Sequence, residues 1–207
     1  MGGSPLGAFN PDADSGGLAV VTGGVVAPAT QAALRYGGAP GAPDPTAMVE
    51  NDAALLALGS GERLLHNLLA AAPDVYRDQP ATVRLDCSAG CTAADIRTVT
   101  TLNPGRIVWA DGDVDLDSGA AIGTAAEPVV LVGSGLLTVD IPVVALVLGR
   151  ASPWVSAGAG SVQGAVVAEN ALGGTASFDV VRDAAVLARL RWTSGSFVRA
   201  PGGWRDF

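Results

Sequence analysis

Four aspartates on alternate positions, Asp111, Asp113, Asp115 and Asp117, sit within "IVWADGDVDLDSGAAIGTAAEPVVLV" (residues 107–132). Carboxylates at this spacing could coordinate calcium, act as an acid and base pair, or line a solvated strand. A calcium loop of the EF-hand type beginning at Asp111 needs Gly at its sixth position and Glu at its twelfth, where this chain has Leu116 and Ile122. Starting at Asp113 instead gives Ser118 and Thr124, so that reading fails in both registers. In extended backbone, alternate residues share a face, so the four aspartates project together and Val114 and Leu116 turn the other way. This is the arithmetic of a half-buried wall with a solvated acidic side. Adventitious cation binding and catalysis are the alternatives. Like charges in a row are mildly destabilising, but they discourage pairing with another strand.

Other candidate chemistry is sparse. Cys87 and Cys91 are the two cysteines, in "CSAGC". A zinc site needs about four ligands, and one histidine supplies too few beside them. The pair can close a tight disulfide loop in an oxidising compartment, with two free thiols as the alternative. His66 falls about 200° round a helix from Leu64, off the leucine face, and nothing ties it to a nucleophile. The chain contains no G-x-S-x-G, no phosphate loop and no lysine for a Schiff base. Some β-helical proteins cleave acidic polysaccharides with Asp, Arg and calcium, which brings Asp113 or Asp115 with Arg150 into view by fold analogy alone. No catalytic, cofactor-binding or metal-ligating residue is assigned, no cofactor is called for, and the chain reads as non-enzymatic.

The elements that would carry these groups are short strands. Apolar residues make up 49 % of the 207 positions, charged ones 15 % and aromatics 5 %, beside 28 Gly and 13 Pro. That balance supports a real core built from strands and turns. The net charge of −8 comes with twelve arginines as the whole basic complement, so binding of phosphate backbones by the general surface, and direct nucleic-acid binding, are not expected. Five of those arginines lie in residues 179–207 against three aspartates, a basic end on an acidic body. The longest apolar run, "PVVALVLG", is strand length rather than membrane length.

Along the chain, residues 1–45 read as a Gly/Pro-rich segment that could hold a first β coil, with 1–7 the remnant of a trimmed chain. Residues 46–104 read as a helical and cysteine-loop insertion. Within it, Leu64, Leu65, Leu68 and Leu69 share a helical face that Pro73 stops, and a second short helix starts at Thr92 with Asp95 as a variant capping box. Residues 105–180 become repetitive. The apolar starts Ile107, Val129, Leu146 and Ala165 fall 22, 17 and 19 residues apart, each interval holding two or three short β runs between glycines. That period predicts a mainly β chain folded as a β-solenoid (β-helix-like) of short coils, with a β-sandwich as the alternative. Residues 181–207 read as a helix with Val186, Leu187 and Leu190 on one side, and a tail, together capping the last coil.

The tail, "LARLRWTSGSFVRAPGGWRDF", resembles that of PilX-type type IV pilus assembly proteins, a group of minor pilins. The coil "IVWADGDVDLDSGAAIGTAAEPVVLV" is similar to their repeat, a "W-x-x-G-D" strand followed by "IG" and "PVxLV". "APDVYRD" and "DCSAGC" fit the helix and cysteine segment before those coils. The resemblance covers roughly residues 50–207. It implies a structural component carried by an N-terminal membrane helix outside this sequence, displayed in the periplasm of a bacterium and then on the pilus at the cell surface. Its partners would be other pilins and assembly proteins, and its roles the priming of assembly, adhesion, motility or DNA uptake. Phe197, Arg199, Trp204, Arg205 and Phe207 combine aromatics and arginines, the types enriched in binding hot spots, and are the candidate interface or cap. An extracellular carbohydrate-binding or carbohydrate-active β-helix is the competing reading.

Overall fold

A computed structural model of the chain describes residues 6–12, 17–31, 34–36, 45–150, 154–155, 160–170, 172 and 178–194. Strands β1 (Leu6–Asn10) and β2 (Val20–Val21), helix α1 (Pro28–Gln31), and strands β3 (Leu34–Tyr36) and β4 (Met48–Val49) come first. Helices α2 (Ala53–Leu58), α3 (Gly61–Leu69) and α4 (Pro73–Arg77) follow, then β5 (Thr82–Thr92) and α5 (Ala93–Leu102). The rest is β6 (Ile107–Leu116), β7 (Val129–Gly133), β8 (Leu137–Val139), β9 (Pro142–Gly149), β10 (Trp154–Val155), β11 (Ser161–Ala168), β12 (Phe178–Arg182) and α6 (Ala184–Thr193).

The helices form where capping chemistry meets an apolar stripe. Ser60 caps α3 by accepting from the Arg63 N–H, and Ala70 ends it in the left-handed conformation. Pro73 both bars continuation and opens α4 at its first position. At α5, Thr92 and Asp95 hold each other's backbone N–H in a capping box. Leu65 is the buried leucine of α3, while Leu68 stays half exposed.

Every strand pairing among the described residues is parallel. The protein is thus mainly β with a large parallel sheet, an arrangement that the antiparallel sheets of a sandwich do not allow. Two ladders share β6. Its first half joins a wall running β5, β6, β7, β9, β11, β12, and its second half joins β8 and then β10. The chain visits the walls in turn: β7 in the first, β8 in the second, β9 in the first, β10 in the second. Side chains between the walls form the inner core, including Val108, Ala110, Leu131 and Val147 from one wall and Val114, Leu116, Leu137 and Val139 from the other. Ile96 of α5 and Cys87 and Cys91 close it at the β5 end.

The outer face of the first wall is also buried. Ile107, Trp109, Val130, Val132 and Leu148 pack under Leu65 of α3 and under Val186 and Leu190 of α6, with Tyr76 of α4 at the margin. Near-continuous apolar runs in β6, β7 and β9 follow from burial on both faces.

The register refines the repeat read from the sequence. Ile107 pairs with Val130, Val130 with Leu146 and Leu146 with Ala165, so three of the four apolar starts stack and Val129 is one residue out. In "EPVVLVG" both valines are apolar, and only the inward or outward turn of the side chain separates them. Three further expectations are corrected. The run of successive stacked strands begins at Thr82 rather than near 105, because Val83, Leu85 and Cys87 alternate with Arg84 and Asp86 as a strand requires. The N-terminal segment does not stack before the strands that follow it in sequence. Instead β1 pairs with β12 from Leu6 opposite Phe178 to Phe9 opposite Val181, β3 lies beyond it, and an Arg182 ion pair with Asp12 pins the joint. β1 takes the edge of β12, and α6 covers the face of β9 and β11 rather than that edge, while the tail expected to complete the cap lies outside the described residues.

Candidate functional site

The acidic row is built by one bend. Gly112 has φ of +134°, and a Cβ there would lie 2.1 Å from the Cys87 carbonyl oxygen, so only glycine lets β6 turn between the walls this close to β5. On the other strand the turn is taken by extra residues: Cys87 lies opposite Gly112 and Cys91 opposite Val114, with Ser88, Ala89 and Gly90 looped out. The Cys87–Cys91 disulfide, Cα–Cα 5.0 Å, ties the base of that loop inside the core.

Asp111, before the bend, faces the helices. Its carboxylate takes the Arg84 guanidinium at 2.9 Å and lies 3.9 Å from Arg77. After the bend, Asp113, Asp115 and Asp117 point outward from the second wall while Val114 and Leu116 are buried. Asp113 accepts the Leu136 N–H at 2.7 Å, and Asp117 accepts the Ser118 hydroxyl at 2.8 Å. Burial, then the neighbouring carboxylates of Asp117 and Asp140, push the Asp115 carboxyl above its ordinary value. Among the described residues no group of three or more His, Cys, Asp or Glu side chains is disposed to hold a metal ion.

The most connected polar feature lies on the helix-covered side. Arg77 reaches Asp74 at 3.7 Å and Asp78 at 3.5 Å, Arg84 reaches Asp78 at 3.4 Å, and Arg150 reaches Asp74 at 3.7 Å and Glu169 at 3.4 Å. This seam ties α4 to β5, β6, the end of β9 and the turn after β11. The Arg150 guanidinium also lies over the Trp109 ring, 5.7 Å from its centroid. Trp109 is fully buried, and its Nε1 has no hydrogen-bond partner among the described residues. The Glu169 side chain is 7 % exposed. Burial pushes its carboxyl above the ordinary value, partly offset by Arg150 and reinforced by Glu62. The residues of the seam bind one another, which makes it a clamp between elements.

Arg150 is thus committed to Asp74, Glu169 and Trp109, and does not meet Asp113 or Asp115. His66 is exposed on α3 and makes no hydrogen bond among the described residues. Phe197, Arg199, Trp204, Arg205 and Phe207 lie outside the described residues. Two features escaped the sequence reading. The Arg150–Glu169 pair had a signal, since the 19-residue interval from Leu146 to Ala165 carries Arg150 onto Glu169. The exposed Trp192 of α6, with the Arg191 guanidinium 5.4 Å from its ring centroid, had none beyond its helical position.

No helix among the described residues is long and apolar enough to cross a membrane. No protein-family model, no curated protein and no solved structure matches this chain.

Proposed function

We propose that the strand stack is a short β-solenoid and that it serves as the display domain of a minor pilin-like component of a type IV pilus, in a non-enzymatic role. The observation that carries the solenoid is the regular advance along the parallel walls: Thr82 to Ile107, Ile107 to Val130, Val129 to Ala145, Pro142 to Ser161 and Ser161 to Asp179. Each step is 16 to 25 residues, and the steps from Ile107, Val129 and Pro142 pass through the second half of β6, β8 and β10 before returning. A stack of this kind, covered by helices on one face and disulfide-tied at its bend, is a rigid body with broad flat sides. Such a body suits display or stacking better than a reaction requiring closure.

In this reading an N-terminal helix anchors the domain to the inner membrane and later to the filament. The domain faces the periplasm and then the exterior, its partners are other pilins and assembly proteins, and it primes assembly or presents a surface at the tip. The pilin resemblance at residues 107–132 and at the tail supports this. Deleting the gene should lower the number of surface pili and the motility that depends on them, and restoring it should recover both. Unchanged piliation and motility in the deletion strain would refute the assembly role.

A further inference from the structure

Two patches of opposite charge occupy different walls. Helix α6 turns Val186 and Leu190 onto the first wall, and its other side presents Ala185, Ala188, Arg189 and Trp192, which with Thr193 line a shallow groove. Their spacing of three, four and seven places them on one stripe of the helix. Trp192 is 79 % exposed beside Arg191. Neither Arg189 nor Arg191 forms an ion pair among the described residues. An open tryptophan beside two arginines without a carboxylate partner among the described residues is the chemistry of an interface hot spot, and it selects an acidic partner.

The second wall carries the complement. Asp113, Asp115 and Asp117 are exposed at alternate positions, a row of like charges that guanidinium groups brought from outside would offset; partial burial, then the Asp117 and Asp140 carboxylates, disfavour the ionised form of Asp115. The α6 stripe lies over β9 and β11, whereas the aspartates lie on the half of β6 that pairs with β8. One molecule cannot bring the two together; two molecules can.

We propose that the outer face of α6 docks on the Asp113–Asp117 face of a second copy of this chain. Arg189 and Arg191 pair with the aspartates, and the Trp192 ring covers the contact. The contact joins unlike surfaces, so each docked molecule leaves one patch of each kind open and the association grows as a row. It stands apart from the pilus reading, since it requires only this domain.

Sedimentation velocity on the 207-residue chain over about 1 to about 300 μM, at low salt and at about 0.5 M salt, tests it. The expected result is concentration-dependent association at low salt that disappears at high salt. The double variants Arg189→Asp with Arg191→Asp, and Asp115→Arg with Asp117→Arg, should each sediment as monomers, while their equimolar mixture associates again, in rows where the two variants alternate. Trp192→Ala should weaken self-association about tenfold. Should a charge reversal impair folding, the milder Arg191→Ser and Asp117→Asn variants should each weaken it about threefold. A wild type that is monomeric under every condition would overturn the proposal. So would association that survives these substitutions, or folded charge-reversed variants that stay monomeric when mixed.

Discussion

The two walls solve the same burial problem in opposite ways. Both turn a row of aliphatic side chains inward, Val108, Ala110, Leu131 and Val147 on the first and Val114, Leu116, Leu137 and Val139 on the second. Outward, the first wall sets Ile107, Trp109, Val132 and Leu148 beneath three helices and seals the margin with arginines and carboxylates. The second leaves Asp113, Asp115 and Asp117 in water. Strand β6 runs through both walls beside β5, and the glycine bend at 112 is where its outer face changes from buried to charged. Stability is therefore concentrated on the first wall, and the second is free to be a surface.

Substitutions can break that contrast, most of all under the helices. Trp109→Ala should destabilise by about 3–5 kcal/mol, a fall of roughly 10 °C or more in melting temperature. Trp109→Phe, which removes the unpaired Nε1 donor and keeps most of the ring, should cost much less. Equal losses from the two would show that the indole nitrogen has a partner in solution. Arg150→Ala, which strands Glu169 without its cation, should cost about 3 kcal/mol. Combining Arg150→Met with Glu169→Gln should recover most of that, as read by denaturant midpoints at constant m-value.

Reducing the Cys87–Cys91 bond releases a loop closed over a sequence separation of 4. The expected loss is about 2 kcal/mol, or roughly 4–8 °C in a melt with and without reductant. The Asp183 carboxylate caps α6, and hydrogen bonds led by the Val186 N–H and the Gln163 side chain hold its pKa below the ordinary 3.8. Its contribution is present above pH 3.8 and is lost as the pH falls through the lower folded value. Asp183→Ala should cost about 1 kcal/mol near neutral pH and nothing in strong acid.

The smallest effect belongs to the second wall, with the opposite sign. The pKa of Asp115 is raised above 3.8, so its carboxyl disfavours the fold as the pH climbs past that value. Asp115→Asn should be neutral or stabilising by up to about 0.5 kcal/mol near neutral pH, and the gain should vanish in acid. A loss of stability instead would mean that the acidic side is structural and that the contrast between walls is false.

Much of this was legible in the sequence for local reasons. The leucine face, the stop at Pro73 and the Thr92–Asp95 box are patterns within a few residues, so α3 and α5 could be read directly. The repeat was readable because parallel stacking forces similar side chains to recur, and it slipped at Val129 because two adjacent valines suit either face. The pairing of β1 with β12 was not readable, since it joins residues about as far apart as the chain allows through backbone hydrogen bonds that leave no mark on residue type. The placement of α6 was hidden for the same reason: Val186 and Leu190 announce a buried stripe without saying what they are buried against.

The proposed pilus role is tested most directly by mass spectrometry of filaments sheared from cells that make the complete gene product. The account predicts peptides of this domain in the filament fraction, preceded by an apolar helix with a processed and methylated first residue. Their absence from filaments, with the protein retained in the periplasm or released as a free species, would contradict it and favour an extracellular carbohydrate-binding role.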